Sequence, residues 1–485
     1  MSNIKNKLEN IKKELHYSID LKNRILDVKG NKVAYLYLES VSSSDSISAN
    51  IIKCLTFEIN QNKNKLFETF YNNIKNTITS PNMLIIKDET EITYLLSCGF
   101  TIIILDECDK IIALETRRDL SRGITESTSE SIIRGPKDSF TETHSTNLGL
   151  IRKRIKDKNL VMEDVFIGKR TTTKVTITYI HDITNLSNVE KIKNKLKKLN
   201  IDAIIETGNL REYLIDKQNS VFPKMISTER PDLACTSLLN GKICILVENT
   251  PYILIIPGLF IDFFKNPEDY YQKPVNASIT RLLRITSFIL TLIVPAIYIC
   301  LTTFHINILP EKLLNSLYYQ RLYVPFPTFF EIILLLIIFE ILRECDIRTP
   351  SKMGASMSIV GGLVLGDAAV SANIVSQVSV IIVALTTISG LLFSDIDMIN
   401  AIRLWRFIFI IFSVSFGLIG LLVCLIIFIS KLSDLKVMGV DYLSPISPLN
   451  LTGLKDSFIR TSKKYDNKRP NYLSNNINKE GRIND

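Results

Sequence analysis

The sequence predicts an α+β cytoplasmic region of two small subdomains followed by an α-helical polytopic membrane domain. Two observations lead there. Of the 485 residues, 46% are hydrophobic, and nearly all the long uncharged runs fall between 285 and 430. Residues 1–280 instead alternate short β-rich runs with charged helical stretches, as soluble domains do. The formal charge of +9 then reads as Lys and Arg flanking membrane spans rather than as a nucleic-acid footprint. Eight cysteines without a CxxC pair exclude a disulfide framework and a zinc site, and point to a reduced, cytoplasm-facing soluble part. The opening MSNIKNKLENIKKELHYSID is charged throughout and lacks an apolar signal core, so no cleaved leader is expected.

Residues 1–31 read as a charged lead-in. The first soluble subdomain, 32–118, opens on the strand KVAYLYLES and continues with helical spacing at 47–56 and 64–79. It then alternates MLIIK, a helix at 91–98, TIIILD and DKIIALETR. Residues 119–146 are polar and rich in Gly, Ser and Thr. They form a linking loop, and loops of that length are functional or interfacial more often than not. The second subdomain, 147–262, begins with a basic helix at 147–157. Strands VFIGKR and KVTITYIHD follow, with a Lys-rich helix at 187–199, a strand IDAIIE, and helices near 209–217 and 231–239. KICILVE and PYILIIP close it as a hairpin turning near Asn249.

The membrane domain spans 263–435. Arg281 and Arg284 precede an uncharged run at about 285–308, long enough to cross and kinked by Pro295. A shorter segment, 327–342, carries Glu331 and Glu340 on opposite faces. Glu340, Arg343 and Glu344 read as an interfacial i, i+4 cluster. The segment 353–393 has the length of one long or two short crossings, and 407–430 reads as the last span. Arg281 and Arg284 before the spans and the basic tail after them put both ends inside and favour four crossings with part of 353–393 re-entrant, which puts the Asp395–Arg406 loop outside. The tail 436–485 is basic and polar and reads as disordered.

The segment 353–393 organises the domain. Ser358, Gly362, Gly366, Ala369, Asn373 and Ser376 recur at steps of three and four. Such a stripe lets helix backbones approach closely in lipid. Asp367 and Ser371 lie beside it. A carboxylate in an apolar span is costly unless it meets water or a partner, so Asp367 reads either as lining a hydrated path or as buried against an arginine.

Catalytic chemistry finds no support in the residues. His16, His144 and His181 lack nucleophile or metal-ligand neighbours at diagnostic spacing. Neither GxxxxGK[ST] nor GxGxxG occurs, so no cofactor and no metal is expected. The helix VEKIKNKLKKLN has no interleaved aromatics and reads as a solvated face, with no nucleic-acid partner.

The segments ESIIRGPKDSFTE, NLGLIRKRI, FPKMISTERPD, LLNGKICILVENTPYILIIP, PEDYY, RLLRI, VPFPTFFE, FEILREC and SIVGGLVLGDAAVSANIVS follow one another in order. That series resembles the A subunit of the GerA-type spore germination receptors of endospore-forming Firmicutes, over about Lys32 to Pro448. The resemblance implies an integral protein of the inner spore membrane with a cytoplasmic N-terminal region and no enzymatic activity. It implies a homo-oligomer, a pentamer by expectation, that acts as a nutrient-gated cation channel with a transporter-like B subunit and a lipoprotein C subunit. A secondary transporter or a non-conducting scaffold subunit are the alternatives. The first of them calls for an inverted repeat in the hydrophobic pattern, and none is seen.

By the same motifs, Arg134, Gly135 and Pro136 belong to a gating or subunit-contact loop, for which a tight turn with a local ion pair is the competing reading. Glu229, Arg230, Pro231 and Asp232 belong to a membrane-proximal helix start, where Pro231 and Asp232 also suit the first helical turn on structural grounds. Gly361, Gly362 and Gly366 belong to the tightly packed transmembrane element.

Overall fold

The structure, a computed structural model, describes residues 3–28, 31–54, 78, 82–86, 90–105, 111–119, 130, 132–215, 220–348, 362, 364–462, 468–476, 478 and 479. The first soluble unit is a five-stranded antiparallel sheet in the order β1-β2-β4-β5-β3. Its strands are β1 (Leu21–Val28), β2 (Asn31–Leu38), β3 (Met83–Ile86), β4 (Phe100–Leu105) and β5 (Ile111–Glu115). Because strand side chains alternate faces, β4 serves two cores. Ile102 and Ile104 meet helix α1 (Asn3–Glu14) and helix α2 (Thr90–Ser97), while Ile103 and Leu105 meet Ile47 and Ile51.

Residues 1–31 are therefore not a separate lead-in. Ile4, Leu8, Ile11 and Leu15, on and just beyond α1, are core, and β1 pairs with β2 along its whole length. The charges that hide β1 in the sequence are those of an edge strand, where Lys and Arg deter pairing with other chains. The helical stretch expected at 64–79 lies outside the described residues, apart from Ile78.

The second unit repeats the plan, with a sheet in the order β6-β7-β9-β10-β8. Its strands are β6 (Leu160–Ile167), β7 (Thr173–Ile180), β8 (Ile226–Thr228), β9 (Ile243–Val247) and β10 (Ile253–Ile256). One face carries helix α3 (His144–Arg154) and helix α6 (Pro231–Leu239), packed on Cys244, Leu246, Ile253 and Ile255. The other carries α4 (Leu186–Lys198) and α5 (Thr207–Leu214). IDAIIE is not a strand. It runs as coil into α5, where the Glu206 carboxylate accepts from Gly208 N–H at 2.6 Å and the Asn209 side chain caps Glu206 N–H. The hairpin β9–β10 turns where expected, with Asn249 at φ +65°.

The helical region follows as α7 (Pro274–Thr303), α8 (Glu311–Arg321), α9 (Thr328–Arg348), α10 (Gln377–Gly390) and α11 (Ile396–Asp434). Among the described residues α7 and α11 are long and apolar enough to cross a membrane. The segment read as a single span at 407–430 is instead part of a hairpin. Gly417 takes φ +60°, ψ −139°, a conformation that essentially only glycine adopts. Across that break Phe428 returns to meet Trp405 (centroids 4.9 Å) and Phe409 (5.8 Å) edge to face, so arms 396–416 and 418–434 run antiparallel. Each arm is roughly 25–30 Å long, the thickness of a hydrocarbon core. The side chain of Phe304, just beyond α7, lies 3.1–3.3 Å from where a Cβ on Gly417 would stand, so a side chain there would have to push it aside.

The start of α11 is not on the far side either. Asp397 pairs with Arg211 of α5, so the 395–406 stretch lies at the soluble-unit end. That end of the bundle and the second sheet share one apolar core, in which Phe222 meets Trp405, Phe428 and Tyr442. The segment 353–393 is divided as well. Residues 364–371 are helical, the chain turns at 372–375 with Asn373 at φ +52°, and α10 begins after Ser376, its N-cap. Asn373 and Ser376 thus leave the small-residue stripe.

The tail is ordered in its described residues. Lys436–Val437 pairs with Val440–Asp441, Tyr442 is fully buried, and Arg469 donates to Leu239 O at 2.8 Å. The apolar and aromatic residues at 437–443 supply the packing that its Asn- and Lys-rich remainder conceals.

Candidate functional site

The two motifs singled out on the soluble side, joined by a bond that spans 94 positions, form one hub. Pro231 occupies the first turn of α6, where its missing N–H costs nothing, and Asp232 faces the positive helix end. Arg230, 2% exposed, donates through Nη2 to Asp232 Oδ2 (2.7 Å) and to Pro136 O (3.1 Å), and through Nη1 to Glu130 O (3.3 Å). Phe140 N–H and Ser139 Oγ both donate to Glu229 O, at 2.7 and 3.1 Å. The Phe140 bond is main chain to main chain, so the loop is laced to the α6 start by backbone as well as by side chains.

On the membrane side Tyr271 Oη donates to Asp232 Oδ2 at 2.7 Å, three residues before α7 begins. Gly135, at φ +138°, lies under the Tyr271 ring, where a Cβ would stand 2.7–2.8 Å from two ring carbons. The linking loop, the α6 start and the lead into the first membrane helix are thus one bonded unit. Arg134 is exposed and joins none of these contacts.

Glu130 faces a polar cavity of about 1160 Å³, whose lining includes Arg230, Tyr271, Asp395, Asp456 and Arg460. Burial raises the Glu130 carboxyl to about 7, against the opposing pull of the Thr228 hydroxyl, which donates to it at 2.6 Å, and of Arg230. Burial likewise raises Asp395, the N-cap of α11, to about 6. Both groups hold protons in the folded state that an unfolded chain releases near the ordinary carboxylate range. Their stabilisation is complete below that range and is lost as pH rises through about 6 to 7. Amide exchange in 132–140, corrected for intrinsic rate, is therefore expected to accelerate as pH passes about 7. Glu130→Gln should flatten that dependence, and an unchanged profile in the variant contradicts it.

The base of α7 is held separately. Arg281, fully buried, donates to Asp269 Oδ2 and to Asp456 Oδ1, both at 2.9 Å. Arg284 grips Asp269 through two bonds of 2.9 Å, and Tyr270 Oη donates to Asp456 at 2.6 Å. Arg460 donates to the carbonyls of Asp269, Tyr270 and Gln272. The tail therefore clamps the root of the first membrane helix. Asp269, Asp456 and Arg460 carry no signal in the sequence, because these partners lie up to 191 positions apart.

Within the bundle the expected residues divide. Ser358 and Gly361 lie outside the described residues. Gly362 has open space where a Cβ would stand, and at Gly366 that position is 3.9 Å from Val380, an ordinary contact. Among the described residues the stripe's glycines make no tighter contact than that. Asp367 is exposed, Ala369 is half-buried and Ser371 is exposed, so burial of Asp367 against an arginine is not what the structure has.

Glu340 pairs with Arg403 and Arg406 of α11 rather than with Arg343, and Glu344 pairs with Arg348. The expected Glu340–Arg343–Glu344 cluster is therefore not formed, because a neighbouring helix offers Glu340 better-placed guanidinium groups. Glu331 is fully buried at the other end. Its Oε2 accepts from Ser376 N–H, Ser376 Oγ and Ser379 Oγ, each at 2.9 Å, pinning the 372–376 turn to α9. Three donors to one oxygen satisfy much of the cost of that carboxylate.

The family described as Bacillus/Clostridium GerA spore germination protein matches residues 9–472. Spore germination protein KA of Bacillus subtilis (strain 168) is 40% identical over 78% of this chain and 70% of its own length. Spore germination protein GerLA of Bacillus cereus is 32% identical over 96% and 94%. Spore germination protein B1 of Bacillus subtilis (strain 168) is 33% identical over 97% of each chain. Among solved structures, the crystal structure of the N-terminal domain of the A subunit of the Bacillus megaterium spore germinant receptor GerK3 aligns with a TM-score of 0.40 and 28% identity, covering 52% of this chain and 94% of that one.

Proposed function

The chain belongs to the Bacillus/Clostridium GerA family of spore germination proteins, and from that premise we propose that it is the A subunit of a nutrient-responsive germination receptor. Its place is the inner spore membrane, beside a transporter-like B subunit and a lipoprotein C subunit. Copies of it assemble, a pentamer being the working count, into a gated channel for monovalent cations whose opening starts germination.

One observation carries the channel reading: the helix at 364–371 leaves Asp367 exposed, and nothing in the described chain stands within contact of a Cβ position at Gly362. A carboxylate facing acyl chains is costly, and a glycine without a close partner forgoes its packing. Copies arranged around a hydrated axis remove both costs together. Counting the 364–371 helix with α7, α9, α10 and both arms of α11 gives an even number of passes. Arg281, Arg284, Arg343, Arg348, Arg403 and Arg406 then lie at the soluble-unit end, which positive-inside bias makes cytoplasmic. The hub and the clamp on Arg281 supply the mechanical route from the soluble units to α7.

Potassium efflux from liposomes holding the reconstituted chain tests this reading. Asp367→Asn should leave assembly intact and lower cation flux severalfold, since it removes a ring of charge from the path. Equal flux from the variant and the parent protein removes Asp367 from the mechanism.

A further inference from the structure

At the soluble-unit end of the bundle, α9 and the first arm of α11 enclose a small cavity of about 30 Å³. Its charged lining is Arg343, Arg403, Arg406 and a single carboxylate, Glu340. Glu340 bonds Arg403 through both oxygens and Arg406 Nη2 at 3.0 Å. Glu344, the next carboxylate on α9, pairs with Arg348 at 2.7 Å and does not line the cavity, although its charge is felt by Arg343. Within the lining one carboxylate faces three guanidinium groups. Arg406 is only 3% exposed, yet its Nε has no hydrogen-bond partner, and the buried Nε of Arg343 has none either. Buried guanidinium donors left unmatched are costly, and nothing within the described chain repays them.

We infer that this cluster is a binding site for the phosphate of an anionic membrane lipid. The donor chemistry fits: guanidinium groups bind phosphate oxygens through paired, charge-assisted bonds. A cavity of this size admits one or two phosphate oxygens rather than a whole soluble metabolite. Its surroundings favour a lipid over a free ion. Leu391 at the end of α10 lines it and is exposed, and Ile341 and Leu404, each next in sequence to a lining residue, are exposed as well. Acyl chains covering those side chains would lead the headgroup phosphate to the arginines. Basic pockets between membrane helices at the cytoplasmic face bind anionic headgroups on this same principle. The site lies apart from Asp367 and does not depend on the channel reading.

The test uses the full chain, reconstituted in phosphatidylcholine vesicles with or without phosphatidylglycerol, with lipid retained after detergent extraction measured by native mass spectrometry. Phosphatidylglycerol should be retained in preference to phosphatidylcholine. Arg343→Gln breaks no ion pair seen in the structure, and should cut that preference by about fivefold, one interfacial arginine's worth. Arg348→Gln, which removes an exposed charge of the same helix outside the cavity, should leave it within about twofold. Inorganic phosphate added alone, at millimolar concentration, should neither displace the lipid nor raise the thermal midpoint. Equal retention of the two lipids overturns the proposal, as does equal loss in the two variants. Displacement of the lipid by inorganic phosphate also overturns it, and reassigns the cluster to a soluble anion.

Discussion

Replacing Arg152 by Met is expected to destabilise the soluble half by about 3–5 kcal/mol, the cost of stranding a buried charge. Arg152 is 0% exposed and belongs to α3 of the second unit, while its partner Asp20 belongs to the first and is 3% exposed in its side chain. The guanidinium also donates to Ser18 Oγ at 3.3 Å and to Leu160 O at 3.1 Å, and Ser40 Oγ donates to Asp20 Oδ2 at 2.8 Å. Beside it Ile19 N–H donates to Met162 O, a main-chain stitch between the units. Loss of the arginine leaves the Asp20 carboxylate among groups that cannot neutralise it. Urea unfolding followed by amide exchange should show the two sheets losing protection at lower denaturant in Arg152→Met. Adding Asp20→Leu to that variant should restore much of the loss, because an apolar pair of similar volume replaces an ionic one at little cost. A double variant no more stable than the single one contradicts the assignment of the effect to the stranded charge.

The second large effect belongs to Arg281. Arg281→Met removes the group that joins Asp269, at the root of α7, to Asp456 in the tail. Asp269 keeps Arg284, whereas Asp456 keeps, among the described residues, Tyr270 and a distant Lys265 at 3.8 Å. Burial works against the Asp456 charge, and Lys265 and Arg281 together pull its carboxyl below the usual range. Without Arg281 that balance is lost. The 451–460 segment should detach, at a cost of about 1.5–3 kcal/mol, the scale of a hydrogen bond to a charged group, because the Asp456 side chain stays 29% exposed. Limited proteolysis of the tail should accelerate. The fluorescence of Trp405, the only tryptophan in the chain, should stay unchanged because its neighbours Phe222 and Phe428 are not in the clamp. Protection of the tail equal to that of the parent protein would mean that Arg460 alone holds it.

The two sheets are legible in the sequence because their inner strands, such as FTIIIL and KICILV, are apolar throughout and bounded by polar turns. β1 is not, because an edge strand keeps its charges, and β8 is too short for a pattern. In the bundle the apolar runs announce helices but not their direction. An uncharged run at 407–430 has the length of one span, and the reversal shows only in the fold, in the backbone of Gly417 and the return of Phe428 to Trp405. Charge counting puts the 395–406 stretch on the wrong side because its pairing with Arg211 reaches across 186 positions, which no local spacing records. At the hub the motifs at 134–136 and 229–232 each stand out, yet their contact through Arg230 and Pro136 requires the fold. The three-arginine cavity is hidden for a related reason: helical spacing groups Glu340 with Arg343 and Glu344 on paper, while the bundle hands Glu340 to α11.

Whether copies of the chain meet along the 364–371 helix is tested most directly by cross-linking at that helix. Leu365 is exposed there and lies within about 60° of Gly362 and Ala369 around the helix, in reach of the same residue on a neighbouring copy if the glycine face is the contact. With Leu365→Cys in a chain cleared of its native cysteines and held in bilayers, oxidation should give a disulfide-linked pair, and a bifunctional thiol reagent a ladder of higher species. A chain that stays monomeric under both treatments, with the position 365 thiol reacting only with lipid-phase reagents, would contradict assembly around that helix.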